Sequence, residues 1–184
     1  MQFLARSLLK LLGWTLIEAP DRPARAVLIA YPHTSNWDGF YALLIKWALR
    51  LDTHWVGKDA LFRPPFGGLL RWLGGVPVNR RQRTGFVEQM VAEFARRPDF
   101  MLVMAPEGTR SLTGGWKTGF YRIALGAQVP VGLAFVDYRR REAGVLAYLP
   151  LTGDPDTDIK AIAAYYHDRP GKRPELASPV RWLE

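Results

Sequence analysis

His33 and Asp38, in the stretch YPHTSNWDG directly after the apolar run AVLIA at 26–30, are the residues whose types and spacing best suit chemistry. A carboxylate beside an imidazole accepts from one ring nitrogen, fixes the tautomer and favours the imidazolium. The other nitrogen is then free to take a proton from a hydroxyl. On one continuous helix, residues five apart would lie about 140° apart around the axis. At a junction between strand and helix that objection disappears: His33 sits on the turn and Asp38 points back from the first helical turn. Alone, H-x4-D is common by chance. A histidine closing a strand and an aspartate favouring a helix N-terminus would account for it equally.

Two later segments add weight. In APEGTRS (105–111), Glu107 and Arg110 flank Gly108 and Thr109. A tight turn there offers backbone N–H groups, a hydroxyl and a guanidinium together, which suits a phosphate; a surface ion pair between Glu107 and Arg110 is the plainer reading. In VPVNRR (76–81), Arg80 and Arg81 stand at a strand end, as a second phosphate contact or as a solvated basic loop. Lys58 and Lys117 are further cations near predicted strand or loop ends. Taken together, these segments describe a site that binds a phosphate and activates an alcohol.

Alternating elements must position these residues. Apolar runs predict strands over 24–32, 53–58, 76–80, 99–108, 129–138 and 141–149. Helical spacing predicts helices over 39–50, 84–97, 119–128 and 156–169, and a short one within 61–75. Thr34 or Ser35 is the expected cap of the helix that holds Asp38 in its first turn. The expected fold is therefore α/β: a single domain with a mixed, mostly parallel sheet flanked by helices, preceded by a short N-terminal amphipathic helix. Its site lies at one sheet edge. The tail GKRPELASPVRWLE (171–184) reads as irregular.

Composition narrows the chemistry. With 184 residues, 48% hydrophobic and 23% charged, the chain is long enough for one real core. It has no cysteine, which excludes a thiol nucleophile, a Cys-ligated zinc and a disulfide framework. Histidines at 33, 54 and 167 are too scattered to suggest a metal cluster. A lipase or esterase would need a nucleophile, yet no G-x-S-x-G elbow is present, and Ser35 and Ser111 lack that context.

The net charge of +8 calls for an anionic partner: nucleic acid, a membrane surface or an anionic substrate. FLARSLLKLLGWTLI (3–17) puts Leu4, Leu8, Leu11, Leu12 and Ile17 at roughly helical spacing. It is too short and too charged for a span. Either it packs on its own domain, or it lies in the headgroup region with Trp14 at the boundary. On the second reading residues 1–19 are a membrane-associating helix and 20–184 the catalytic domain.

HTSNWD, GGVPVNRR, PEGTRS and VPVGLAF, in this order and at these spacings, resemble the four sequence blocks of the glycerol-phosphate and lysophosphatidate acyltransferases, the PlsC-like family. The resemblance covers roughly residues 25–140. It implies a glycerol-3-phosphate acyltransferase-like fold and transfer of a fatty acyl group from acyl-CoA or acyl-carrier protein to the hydroxyl of a lysophospholipid. It implies His33 as general base and Asp38 as its partner. Glu107, Gly108, Thr109 and Arg110 resemble the acceptor-phosphate block, Arg80 the arginine of the second block, and Pro130 falls in the block associated with the acyl donor. Lys58 and Lys117 are the added candidates for substrate binding. Asn79 departs from the pattern, standing where an aspartate often precedes the arginine.

The reading expects no metal and no cofactor beyond the acyl donor, no nucleic acid, and an anionic membrane surface as partner. It expects peripheral attachment to the cytoplasmic face, with no full span. The alternatives are an acyltransferase for another lysolipid, such as a lyso-aminolipid, and a basic membrane- or nucleic-acid-binding module without catalysis. The latter would show salt-dependent binding to DNA or RNA.

Overall fold

The computed structural model describes residues 1–78 and 85–183. Among them, seven strands form one sheet in the order β1-β7-β6-β2-β5-β3-β4. The strands are β1 (Thr15–Ile17), β2 (Arg25–Ala30), β3 (Thr53–Lys58), β4 (Gly75–Val78), β5 (Phe100–Met104), β6 (Val131–Asp137) and β7 (Glu142–Leu149). Only β6 and β7 pair antiparallel, through a tight turn; the other neighbours run parallel.

The apolar run that announced β2 reflects burial on both faces, as parallel strands require. Val27 and Ile29 enter a core with Phe94, Phe100, Leu102 and Leu133. Ala26 and Leu28 enter a second core with Leu44 and Ala48. The first is covered by α4 (Phe86–Arg96), α5 (Gly119–Gly126) and α6 (Pro155–Tyr166), the second by α1 (Gln2–Leu11) and α2 (Trp37–Leu49). A short α3 (Gly67–Trp72) leads into β4. β2 and β5 lie side by side at the centre, so their carboxyl ends bring the two polar segments 31–38 and 105–111 to one edge.

Three local features differ from expectation. Helix α2 starts at Trp37 with Asn36 at its N-cap, and Ser35 Oγ accepts from the Trp37 N–H at 3.2 Å. The N-terminal helix ends at Leu11 instead of running to Ile17, because Gly13 (φ +75°) turns the chain and Thr15–Ile17 joins the sheet edge beside β7. Trp14 is therefore buried at 9% exposure, tilted against Tyr41 and edge-on to Tyr138, and is not a boundary residue.

Helix α1 divides its apolar residues between two directions. Ala5 and Leu9 are buried against the domain, and Arg6 Nε donates to the Ala48 carbonyl of α2 at 2.9 Å. Phe3, Leu4 and Leu11 stay 79%, 66% and 83% exposed. Among the described residues no helix is long and apolar enough to cross a membrane.

Candidate active site

After β2 the chain passes through 31–36 and turns into α2, which buries Asp38 in its first turn. Asp38 Oδ2 accepts from the backbone N–H groups of Thr34 and Ser35, each at 2.9 Å, and lies 3.4 Å from His33 Nδ1. Asp38 Oδ1 accepts from the Tyr138 hydroxyl at 2.7 Å. Burial alone would push this carboxyl up. The imidazole, the tyrosine and the backbone donors outweigh it and hold Asp38 below the ordinary carboxylate range. With Nδ1 turned to Asp38, the nitrogen available to a substrate is Nε2. A separation of 3.4 Å is long for a direct hydrogen bond.

Glu107 is 1% exposed and points away from solvent. Its carboxylate accepts from the His33 N–H at 2.8 Å and from the Ser178 N–H at 2.9 Å. Burial is the main cause that raises its pKa. The residue is thus a tie between the His33 loop, the turn after β5 and the C-terminal tail. It stands apart from the side chains that line the cavity.

The tail itself is pinned at several points. The Tyr31 hydroxyl donates to the Ser178 carbonyl at 2.8 Å, the Arg173 N–H donates to Thr34 Oγ1 at 3.2 Å, and Lys172 Nζ sits 4.8 Å from the Trp37 ring centre. Backbone groups in a segment with little regular structure therefore hold the His33 loop in place.

A cavity of about 970 Å³ opens at this edge and continues beneath α2. Its polar end is lined by His33, Asp38, Gly108, Thr109, Arg110 and Lys117. Its interior is lined by apolar residues of the sheet and α2, including Leu28, Ile45, Val103, Ala134 and Val145. Lys46 also lines it, with Nζ donating to the Thr53 carbonyl at 2.5 Å, and burial pushes that amine down. Gly108 has φ +70°, and a Cβ there would come within 2.8 Å of Lys117 Nζ. The positive φ is what favours glycine here, since the lysine's flexible end can shift to admit a Cβ.

Six of the nine candidate residues therefore meet at one mouth: His33, Asp38, Gly108, Thr109, Arg110 and Lys117. Glu107 lies behind it. Arg80 lies outside the described residues, and so does the side chain of Lys58, whose backbone ends β3. Pro130 sits at the far end of the sheet, its carbonyl accepting from the Val27 N–H at 3.1 Å. Tyr138 and Ser178 carried no sequence signal: a tyrosine just past a strand and a serine in a tail resemble many others.

Three comparisons bear on this geometry. A family model described as Acyltransferase matches residues 16–132. The chain is 28% identical over 169 residues to the 1-acyl-sn-glycerol-3-phosphate acyltransferase of Haemophilus influenzae, covering 82% of this chain and 68% of that protein. It is 37% identical over 106 residues to the Escherichia coli protein of the same name, covering 54% of this chain and 42% of the other. The crystal structure of the 1-acyl-sn-glycerophosphate (LPA) acyltransferase PlsC from Thermotoga maritima shares the fold, with TM-score 0.60 at 13% identity over 90% of this chain and 77% of that one. The family match runs through both polar segments that β2 and β5 deliver to the cavity mouth, and the chain belongs to the Acyltransferase family.

Proposed function

We propose that this protein transfers a fatty acyl group from a thioester donor, acyl-CoA or acyl-carrier protein, to the free hydroxyl of a lysophospholipid of the 1-acyl-glycerol-3-phosphate type. The observation that carries the reading is one cavity whose mouth holds His33, the buried Asp38, Arg110 and Lys117, and whose interior is apolar. An acyl chain fits the apolar part. A phosphate fits the cationic turn.

In this reading His33 Nε2 takes the proton of the acceptor hydroxyl as its oxygen attacks the thioester carbonyl. Asp38 holds the ring and stabilises the imidazolium. The tetrahedral oxyanion collapses, the carbon–sulfur bond breaks, and the leaving thiolate takes the proton back from the imidazolium. No acyl-enzyme forms. Arg110 and Lys117 hold the acceptor phosphate so that its hydroxyl meets His33.

The test is a mass-spectrometric screen with one acyl-CoA and one acyl-carrier protein against 1-acyl-glycerol-3-phosphate, other lysophospholipids and a lyso-aminolipid. Diacyl product from the phosphate acceptor is expected. Exclusive turnover of the lyso-aminolipid, or hydrolysis alone, would overturn the assignment. For Arg110→Ala, the KM for the phosphate acceptor should rise roughly tenfold with kcat little changed. An unchanged acceptor KM would remove Arg110 from the phosphate role.

The same reading places the enzyme on a membrane surface through residues 1–19. Support comes from the exposed Phe3, Leu4 and Leu11 on a helix that carries Arg6 and Lys10, in a chain of net charge +8. A Leu4→Glu, Leu11→Glu double variant should lose most binding to vesicles containing phosphatidylglycerol at unchanged thermal stability, because neither side chain packs on the domain. Undiminished co-sedimentation would exclude α1 as the attachment.

A further inference from the structure

Asp38 Oδ2 is engaged by the Thr34 and Ser35 N–H groups and faces His33, but Oδ1 has a different partner. The Tyr138 hydroxyl donates to it at 2.7 Å across 100 residues of sequence. Tyr138 lies beyond residues 16–132, the range of the family match. We propose that Tyr138 is a positioning residue for the His33–Asp38 pair: its hydroxyl fixes the carboxylate's rotation so that Oδ2 stays aimed at the imidazole. The inference rests on the catalytic reading above.

The tyrosine is held from every side. It opens the turn between β6 and β7, and the fully buried Asp137 before it caps that turn by accepting from the Arg139 and Arg140 N–H groups, each at 3.0 Å. Arg140 and Arg169 pair with Asp137, which anchors the turn to the end of α6. The ring packs edge-on against Trp14 at 5.4 Å and Tyr41 at 5.7 Å. On the remaining side Lys172 Nζ lies 5.8 Å from the ring centre. Of the groups around the Tyr138 ring, Trp14 has no acceptor, Tyr41 offers a hydroxyl rather than a carboxylate and Lys172 donates only. The hydroxyl therefore has one charged acceptor within reach, and a rigid turn aims it there.

The consequence is a carboxylate with its charge divided between two ends. Without the tyrosine donor, Asp38 swings more freely about its terminal torsion, and more of its charge falls on the imidazolium. Tyr138→Phe keeps the ring and its packing and removes only the oxygen. The expected result is a roughly tenfold loss of kcat with KM for donor and acceptor near wild type. The acidic limb of the kcat profile should also move to higher pH, since the freed carboxylate holds the imidazolium more tightly. Circular dichroism and the thermal midpoint of Tyr138→Phe check that the ring still packs. A well-folded Tyr138→Phe with unchanged kcat and an unmoved acidic limb would overturn the inference while leaving the catalytic reading intact. Activity retained in His33→Ala, assayed in parallel, would instead overturn the catalytic reading itself.

Discussion

His33→Ala is expected to lose acyl transfer by about 10²–10⁴-fold or more, the range that a positioned general base contributes, while folding as wild type does. The fold should survive because the loop is held by its backbone. The His33 N–H donates to Glu107, and those of Thr34 and Ser35 donate to Asp38, none of which needs the imidazole. The ring itself is about a fifth exposed, so its loss opens no deep cavity. Steady-state turnover with 1-acyl-glycerol-3-phosphate and one acyl-CoA, beside the thermal midpoint, reads both halves. Near-normal turnover in a folded His33→Ala protein would leave the proposed mechanism without its base.

Asp38→Asn should be almost as damaging to activity, by about 10²–10⁴-fold, because an amide cannot stabilise the imidazolium and favours the wrong ring tautomer. It also offers one acceptor oxygen where the carboxylate serves Thr34, Ser35 and Tyr138 with two. One donor is stranded in a buried site, so stability should fall as well.

The sign of the pH effect follows from the lowered pKa of Asp38. A carboxylate whose folded value lies below its unfolded one contributes stability above about pH 4, and that contribution fades as pH falls through the folded value. The wild-type thermal midpoint should therefore drop more than that of Asp38→Asn when pH is lowered from about 6 to below about 4. Equal declines in the two proteins would show that Asp38 is not a source of the acid sensitivity. Together the two variants test the proposed base and its proposed carboxylate partner.

Much of the fold was legible because it is written in local patterning. AVLIA at 26–30 reads as a doubly buried strand since both its faces meet apolar cores, and α4 was visible from one apolar side that holds Met90 and Phe94. The N-terminal segment was misread past Leu11. Its leucines at helical spacing run on into Thr15–Ile17 without a change of hydrophobicity, and only pairing with β7 makes that piece a strand. A single positive-φ glycine at 13 marks the break, and a glycine alone does not announce it.

The site divides in the same way. Residue types, order and local spacing determined the His33–Asp38 pair, the Gly108–Thr109–Arg110 turn and the alternation of strand and helix that brings them to one edge. Those depend on contacts a few residues apart, or on burial that repeats along an element. Only the tertiary structure decided that Glu107 faces inward to tie the His33 loop to Ser178, and that Tyr138 completes the environment of Asp38. It likewise decided that an irregular tail clamps Tyr31. These contacts join residues 71 to 147 positions apart in the chain. A hydrogen bond across that separation imposes no periodicity on the sequence. Its members become recognisable only when the packed sheet brings them within 3 Å of one another.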